Sequence, residues 1–232
     1  MDNTETSFKC VISIGMRCFT DIFLKKLELK QFSCVFDAIY NTDISNIIYI
    51  FENEFNYSDI INTETIDDLN IKNLNKKHGY RTLHKLINYK ENNLIYSYHN
   101  AFLPHHNLND IDDKNHFDRC FKRLKNIKIL NIKTLFCLFF HPDYSNDTDV
   151  SIENILFLNN YLQNNFNCHL LVCKFKYINK NYNWKTIINN DKLTYIHINN
   201  SSHIYEDNEK ILKEIFDYLN INKLLLIKYN EI

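Results

Sequence analysis

The sequence is very poor in glycine and proline, since its 232 residues contain only two of each. The glycines are Gly15 and Gly79, so neither the G-x-G-x-x-G dinucleotide-binding pattern nor the G-x-x-x-x-G-K phosphate-binding loop is present. We therefore expect no nucleotide cofactor, and no motif indicates any other cofactor. The apolar fraction of 45% is typical of a globular protein. The abundance of Asn, Ile, Lys, Tyr and Phe indicates the codon bias of an AT-rich genome, such as that of a large DNA virus, rather than disorder.

A surplus of charge of either sign is also missing, because 27 basic and 28 acidic residues give a formal net charge of -1. This balance provides no electrostatic footprint for nucleic acid or for an anionic membrane. No apolar run approaches the roughly 20 residues that a membrane span needs, and the polar opening MDNTETSFKC is unlike a signal peptide. We expect neither a nucleic-acid partner nor a membrane partner.

Paired cysteine motifs are absent as well. The seven cysteines are odd in number and include no C-x-x-C pair, which argues against both a disulfide framework and a zinc knuckle. We predict free thiols and a reducing, cytoplasmic location, which for a viral protein would be the host cell. No metal site is predicted, because His99, His105 and His106 lie close together without the spacing of a metal-binding helix.

What is present is an alternation of strand and helix patterns. Runs rich in β-branched and aromatic residues predict strands at 10–15, 93–99, 134–141, 169–177 and 193–199. Helical spacing of apolar residues predicts helices within 17–29, 116–127, 151–166 and 208–221. Strands that are apolar at nearly every position are typical of a buried, mostly parallel sheet with helices on both faces. We predict one α/β domain over residues 1–232, with the polar stretch 41–90 as a helical insertion or lid.

The stretch VISIGMRCFTDIF places Gly15 between a strand and a helix, with Cys18 three residues later. A cysteine in the first turn of a helix meets unsatisfied backbone N–H groups and the positive end of the helix dipole, which favour a thiolate. Gly15 permits a sharp turn and close approach of a substrate to the backbone. The alternative is that Cys18 is a small buried core residue, as free cysteines usually are. With Arg17 beside it, this turn is a candidate site.

Other polar residues follow the predicted strands, where open α/β sheets bind ligands. His99 ends the strand 93–99 and is the first candidate for a base; His105, His106, His141 and His203 are alternatives. Asp37 lies in the apolar stretch FSCVFDAIY, either as a partner of an imidazole or as a helix N-cap. Arg119 and Arg123 are four residues apart on one predicted helix, where they could bind an anionic group or pair with surface acids.

Residues 11–40 resemble the opening signature of the putative papain-like cysteine peptidase family, known from bacteria and large DNA viruses. That signature has an apolar strand, Ser-Leu-Gly, two residues and Cys, followed by an amphipathic helix and Ser-x-Pro-Phe-Asp-Trp. The matching residues here are Ser13, Ile14, Gly15, Cys18, Ser33, Phe36 and Asp37. The stretches IYSYHN and FDRCFKRLKNIKILNIKTLFCLFF are similar to later parts of the family, over about residues 9 to 140. Val35, Ala38 and Asn100 depart from the pattern, and Ala38 stands where the family usually has tryptophan.

The resemblance implies a Cys-His-Asp mechanism, with Cys18 as nucleophile, His99 as base and Asp37 orienting the imidazole. It implies a hydrolase or acyltransferase acting on a peptide or another acyl compound, with Gly15, Arg17, Arg119 and Arg123 contacting the substrate. A papain core places its cysteine helix before an antiparallel sheet, whereas the pattern here predicts a strand of a parallel sheet directly before Cys18. Two other functions stay open on the sequence: a non-catalytic viral binding protein on an enzyme-like fold, and a glycosyltransferase-like enzyme.

Overall fold

The structure is a computed structural model, and it describes a defined part of the chain. The described residues are 8–15, 18–37, 39–41, 44–54, 61–62, 96–98, 101–103, 106, 110–140, 151–177, 183–200 and 205–219. In chain order the elements are β1 (Cys10–Ser13), α1 (Cys18–Lys26), a 3-10 turn (Val35–Asp37), β2 (Tyr40–Asn41), α2 (Ile44–Asn53), β3 (Ile61–Asn62), β4 (Tyr96–Tyr98), β5 (Ala101–Leu103), α3 (Ile111–Ile129), β6 (Thr134–Phe140), α4 (Ile152–Asn165), β7 (Cys168–Tyr177), β8 (Asn183–Asn189), β9 (Leu193–Asn200) and α5 (Tyr205–Tyr218).

Five strands form the main sheet in the order β1-β6-β7-β9-β8. The first four of these run parallel, and β8 pairs antiparallel with β9 at the edge. Every residue of β6 is buried, as expected for a strand covered on both faces. The predicted α/β class with a mostly parallel sheet is confirmed.

Two apolar clusters lie on opposite faces of this sheet, because successive side chains of a strand point in opposite directions. Phe136, Leu138, Leu170 and Val172 pack on one face with residues of α2, α3 and α4. Leu135, Cys137, Leu171 and Cys173 pack on the other face with residues of α1 and α5. We call these the α3 face and the α1 face. Helices therefore cover both faces, as predicted.

A second sheet of four short strands has the order β2-β5-β4-β3, and all of its pairs are antiparallel. It contains β4, which lies within the predicted strand 93–99. That strand was expected among the parallel strands, and this expectation is wrong, because β4 pairs with β3 and β5 instead. Periodicity indicates a strand but says nothing about its non-local partners.

The other predicted elements are found near their expected positions. The predicted helix within 151–166 is α4, whose N-cap is Ser151; its Oγ accepts a hydrogen bond from the Asn154 N–H at 3.1 Å. Within the predicted insertion 41–90, the structure describes the end of β2, α2 and β3 together with Glu54. The strand β8 was not predicted. None of the helices in the described ranges is long and apolar enough to cross a membrane.

Candidate functional site

The turn between β1 and α1 lies at the carboxyl end of the parallel sheet. The Ile14 N–H donates to the Cys137 carbonyl at 2.9 Å, which continues the pairing of β1 with β6 by one residue. Gly15 follows and is buried, and Cys18 is the first residue of α1. The predicted order of strand, glycine, cysteine and helix is confirmed. Arg17, predicted to contact the substrate, lies outside the described residues.

A buried hydrogen bond fixes the first turns of α1 against the sheet. The Oγ1 of Thr20 accepts from the Phe139 backbone N–H at 3.1 Å, and Thr20 is fully buried. Phe139 lies beyond the last residue of β6 that pairs with β1, so no strand accepts from this N–H on that side. The Thr20 hydroxyl takes the place of the missing strand and holds the beginning of α1 beside the carboxyl end of β6.

Exposure distinguishes Cys18 from the other six cysteines. All seven are free thiols; Cys18 is half-buried and the rest are buried. Burial raises the pKa of each of the six buried thiols, to about 11 for Cys120 and to about 12 for Cys10 and Cys168. These six are therefore protonated and shielded near neutral pH. Cys18 is the cysteine that a reagent or substrate can reach.

Asp37, the predicted third member of the catalytic group, belongs to a buried ionic network. It ends the 3-10 turn, and its Oδ2 accepts from the Cys34 N–H at 2.6 Å and from the Lys30 ammonium. Lys30 also binds Asp21 of α1, which in turn pairs with Lys25 at 2.6 Å. Asp21 lies three residues after Cys18, so the network joins the 3-10 turn to the first turns of the cysteine helix. Sequence reasoning did not identify Lys30 or Asp21.

The same network determines the protonation of Asp37. Burial raises the pKa of its carboxyl from 3.8 to about 6, with Asp21 adding to the rise and Lys30 opposing it. The pKa of Lys30 is also raised, because the two carboxylates outweigh the opposing effect of burial. Near neutral pH the turn therefore holds an ionised Asp37 against a charged Lys30.

Two buried oxygens lack a hydrogen-bond partner in the described part of the chain: Asp37 Oδ1 and Ser13 Oγ. Ser13 ends β1 and is 2% exposed. A buried carboxylate oxygen without a donor is costly, and such atoms concentrate where function requires them. Within the described residues, Asp37 therefore has one carboxylate oxygen that is bonded and one buried oxygen that is not.

The two arginines predicted to contact the substrate lie on α3 in different settings. Arg123 is half-buried; its Nη1 donates to the Ser33 carbonyl at 2.9 Å, and its guanidinium lies 5.8 Å from the Phe32 ring centroid. Arg119 is exposed. Arg123 therefore tethers the segment that leads to Asp37, a structural contact that the helical spacing alone did not reveal.

Of the candidate bases, the structure describes one. His99, His105, His141 and His203 lie outside the described residues. His106 is half-buried, and its Nδ1 lies 2.9 Å from the Asp113 Oδ1. Its ring also stacks on that of His116, with centroids 5.4 Å apart. The partners of His106 thus come from α3.

A cleft of about 720 Å³ lies elsewhere, at the amino ends of the parallel strands. Its described lining includes Lys133, His169 and Lys192, and none of the predicted site residues is part of that lining. Within the described ranges, no group of three or more His, Cys, Asp or Glu side chains could hold a metal ion.

Comparison with known proteins places the chain in a family. No curated protein and no solved structure matches it. The family model described as putative papain-like cysteine peptidase (DUF1796) matches residues 9–174, which include β1, Cys18, Asp37, α3 and β6. This match covers well over half of the chain and agrees with the resemblance carried by Gly15 and Cys18. The chain therefore belongs to the putative papain-like cysteine peptidase family.

Proposed function

We propose that the protein is a thiol-dependent hydrolase or acyltransferase in which Cys18 attacks an amide, ester or similar acyl bond. One observation carries the proposal: Cys18 is half-buried at the first position of α1, whereas the other six thiols are buried. Family membership supports the same chemistry. A thiol at a helix N-terminus, at the carboxyl end of a parallel sheet, has the setting of an activated nucleophile.

In the proposed reaction, the Cys18 thiolate attacks the acyl carbon and forms a thioester as the bond to the leaving group breaks. The base that took the thiol proton gives it to the leaving group. Water then hydrolyses the thioester in a hydrolase, or a second nucleophile takes the acyl group in a transferase. The backbone N–H groups at the beginning of α1 are the candidates for stabilising the oxyanion.

His99 is the proposed base and Asp37 the residue that orients its imidazole. Support for Asp37 is its Oδ1, which has no hydrogen-bond partner among the described residues, combined with an Oδ2 that accepts from Lys30 and from the Cys34 N–H. A carboxylate fixed at one oxygen and open at the other can hold an imidazole N–H in one orientation. Support for His99 is its match to the family's histidine. The rule that ligands bind at the carboxyl ends of parallel strands gives it no support, because β4, the strand before it, belongs to the antiparallel second sheet.

Substrate contacts are proposed for Gly15, Arg17, Arg119 and Arg123. Gly15 has no side chain to obstruct a substrate that approaches the turn. Arg119 is the exposed arginine of α3 and is the stronger candidate for an anionic substrate group. Arg123 already donates to the Ser33 carbonyl, so its proposed role is to support the segment around Asp37.

Acyl capture tests this proposal directly. Incubation with p-nitrophenyl acetate, followed by peptide mapping, should place one acetyl group on Cys18, with a burst of nitrophenolate equal to the enzyme concentration. The Cys18→Ala variant should lose the burst, and the Cys168→Ala variant, which removes a buried thiol, should keep it. Acetylation of other residues only, or an identical burst in Cys18→Ala, would refute Cys18 as the nucleophile.

A further inference from the structure

A row of basic side chains crosses three strands of the main sheet. Lys174 of β7 is the register partner of His197 of β9, and His197 is also the partner of Lys185 of β8. Register partners on neighbouring strands point to the same face with Cβ atoms about 5 Å apart. Lys176 lies two residues further along β7, on the same face, opposite Asn199. We call Lys174, Lys176, Lys185 and His197 the basic row.

The basic row lies where α/β sheets bind ligands. Leu170 and Val172 place the even-numbered residues of β7 on the α3 face, and Lys174 and Lys176 continue that series toward the carboxyl end. Lys176 and Lys185 are exposed and His197 is half-buried, so the row is open to solvent. The crevice outside the carboxyl ends of parallel strands is the usual ligand site of such folds.

The basic row gathers three lysines around one imidazole. His197 lies directly opposite Lys174 on one side and Lys185 on the other, so the two lysines flank one imidazole. Neither Lys176 nor Lys185 forms an ion pair with any residue in the described part of the chain. Burial lowers the pKa of His197, and the nearby positive charges of Lys174, Lys176 and Lys185 lower it further. The row is a concentrated positive site.

Neighbouring polar groups fix the geometry of the row. His197 Nε2 lies 2.6 Å from the Tyr195 hydroxyl, so Nδ1 is the ring nitrogen left to contact a ligand. Burial raises the pKa of Tyr195 to about 12, and its phenol adds no negative charge. Beside the row, the Asn199 side-chain amide donates to the Asn183 side-chain oxygen at 2.8 Å. The imidazole is therefore held in place between lysines on both neighbouring strands.

We propose that the basic row binds a phosphoryl group, either as free inorganic phosphate or as the phosphomonoester of a small molecule. The ammonium groups of Lys176 and Lys185 and one imidazole N–H supply the charge-assisted donors that a tetrahedral dianion needs, and Lys174 adds positive charge beside them. A formal net charge of -1 gives no electrostatic footprint for a nucleic-acid backbone, which needs an extended basic stripe. The site is independent of the proposed thiol chemistry, since α1 packs on the opposite face of the sheet.

Calorimetric titration at constant ionic strength tests the proposal, with inorganic phosphate in one arm and glycerol 3-phosphate in the other. Saturable binding is expected in at least one arm. If only inorganic phosphate binds, the ligand is the free ion. If glycerol 3-phosphate binds as tightly as phosphate or more tightly, the ligand is a phosphomonoester. Lys176→Gln and Lys185→Gln should each weaken binding by about tenfold or more, because each removes a charged donor. Thermal unfolding of both variants should match that of the parent protein, since both lysines are exposed.

The matched control is Lys192→Gln, which removes an exposed lysine at the opposite end of β9. It should change the affinity by less than about twofold, as expected for a screened, distant charge. Absence of saturable binding in both arms would overturn the proposal, as would equal weakening by Lys185→Gln and Lys192→Gln. Binding of a single-stranded oligonucleotide at lower concentrations than phosphate would also overturn it and assign the row to nucleic acid.

Discussion

Thr20 on α1 and Phe139 on β6 are joined by a buried hydrogen bond of 3.1 Å, from the Phe139 backbone N–H to the threonine Oγ1. The two residues are 119 positions apart in the chain. This contact determines where the cysteine helix begins relative to the sheet, because Cys18 lies two residues before Thr20. The position of the candidate nucleophile thus depends on a side chain that has no part in its chemistry.

Thr20→Val should destabilise the protein by about 1–3 kcal/mol, because it leaves the buried Phe139 N–H without an acceptor. Thr20→Ser keeps the hydroxyl and loses a buried methyl group, at a cost of about 1 kcal/mol. Amide hydrogen exchange separates the two effects. Phe139 should exchange faster in the valine variant and stay protected in the serine variant; equal protection in both would show that the hydrogen bond contributes nothing.

Lys30→Met should be strongly destabilising, by about 3–5 kcal/mol, because it leaves Asp21 and Asp37 buried without their shared cation. Urea denaturation measures the loss. The matched control is Lys26→Met, which removes a more exposed lysine paired with Glu209 and should cost less than about 1 kcal/mol. Adding Asp37→Asn to Lys30→Met should recover part of the loss, since it removes the buried carboxylate that has lost its cation, whereas Asp21 keeps its ion pair with Lys25. Equal stability of the two lysine variants would contradict the importance of the network.

The raised pKa of Asp37 predicts a pH dependence with a definite sign. Its value of about 6 in the folded protein exceeds the ordinary 3.8, so folding favours the protonated form. The contribution of this group to stability is present below about pH 4 and is lost as the pH rises to about 6. Asp37→Asn should abolish this part of the pH dependence of the unfolding free energy. A wild-type and a variant curve of the same shape over that window would contradict the assignment.

Much of the fold follows from local patterns. The apolar run before Gly15 and the amphipathic residues after Cys18 are local signals, and they placed β1 and α1 correctly. The second sheet could not be predicted, because strands of two or three residues such as β2 and β3 are too short to show periodicity. The strand β8 was not predicted because its residues are exposed or half-buried at the sheet edge, and its sequence shows no clear alternation of apolar and polar positions.

In the candidate site, too, local features could be predicted from the sequence and contacts between elements could not. Cys18 was predictable from its place in a strand–turn–helix pattern, which is a local feature. The ionic network of Asp37 was not, because Lys30 of the loop after α1 contacts both Asp37 of the 3-10 turn and Asp21 of α1 only in the folded chain. The structural role of Arg123 was likewise not predictable, because it depends on a hydrogen bond to the Ser33 carbonyl, 90 residues away in the chain. Contacts between side chains of different elements leave no periodic signal in a single sequence.

The choice of base predicts different behaviour for two histidine variants. His99→Ala should abolish rapid alkylation of Cys18 near neutral pH, because no imidazolium then stabilises the thiolate. His106→Ala should leave it nearly intact, since the His106 imidazole already lies beside Asp113 of α3. The rate of iodoacetamide labelling measures both. The reverse pattern would assign the base to His106 and leave Cys18 as the nucleophile.

Alkylation of the native, unmodified protein tests the role of Cys18 most directly. Limiting iodoacetamide near neutral pH, followed by peptide mapping at timed intervals, gives a separate rate for each of the seven thiols. Cys18 should react at least about a hundredfold faster than the six buried thiols, because burial both shields them and raises their pKa. Equal, slow labelling of all seven thiols would contradict an activated Cys18 and would favour a non-catalytic binding protein.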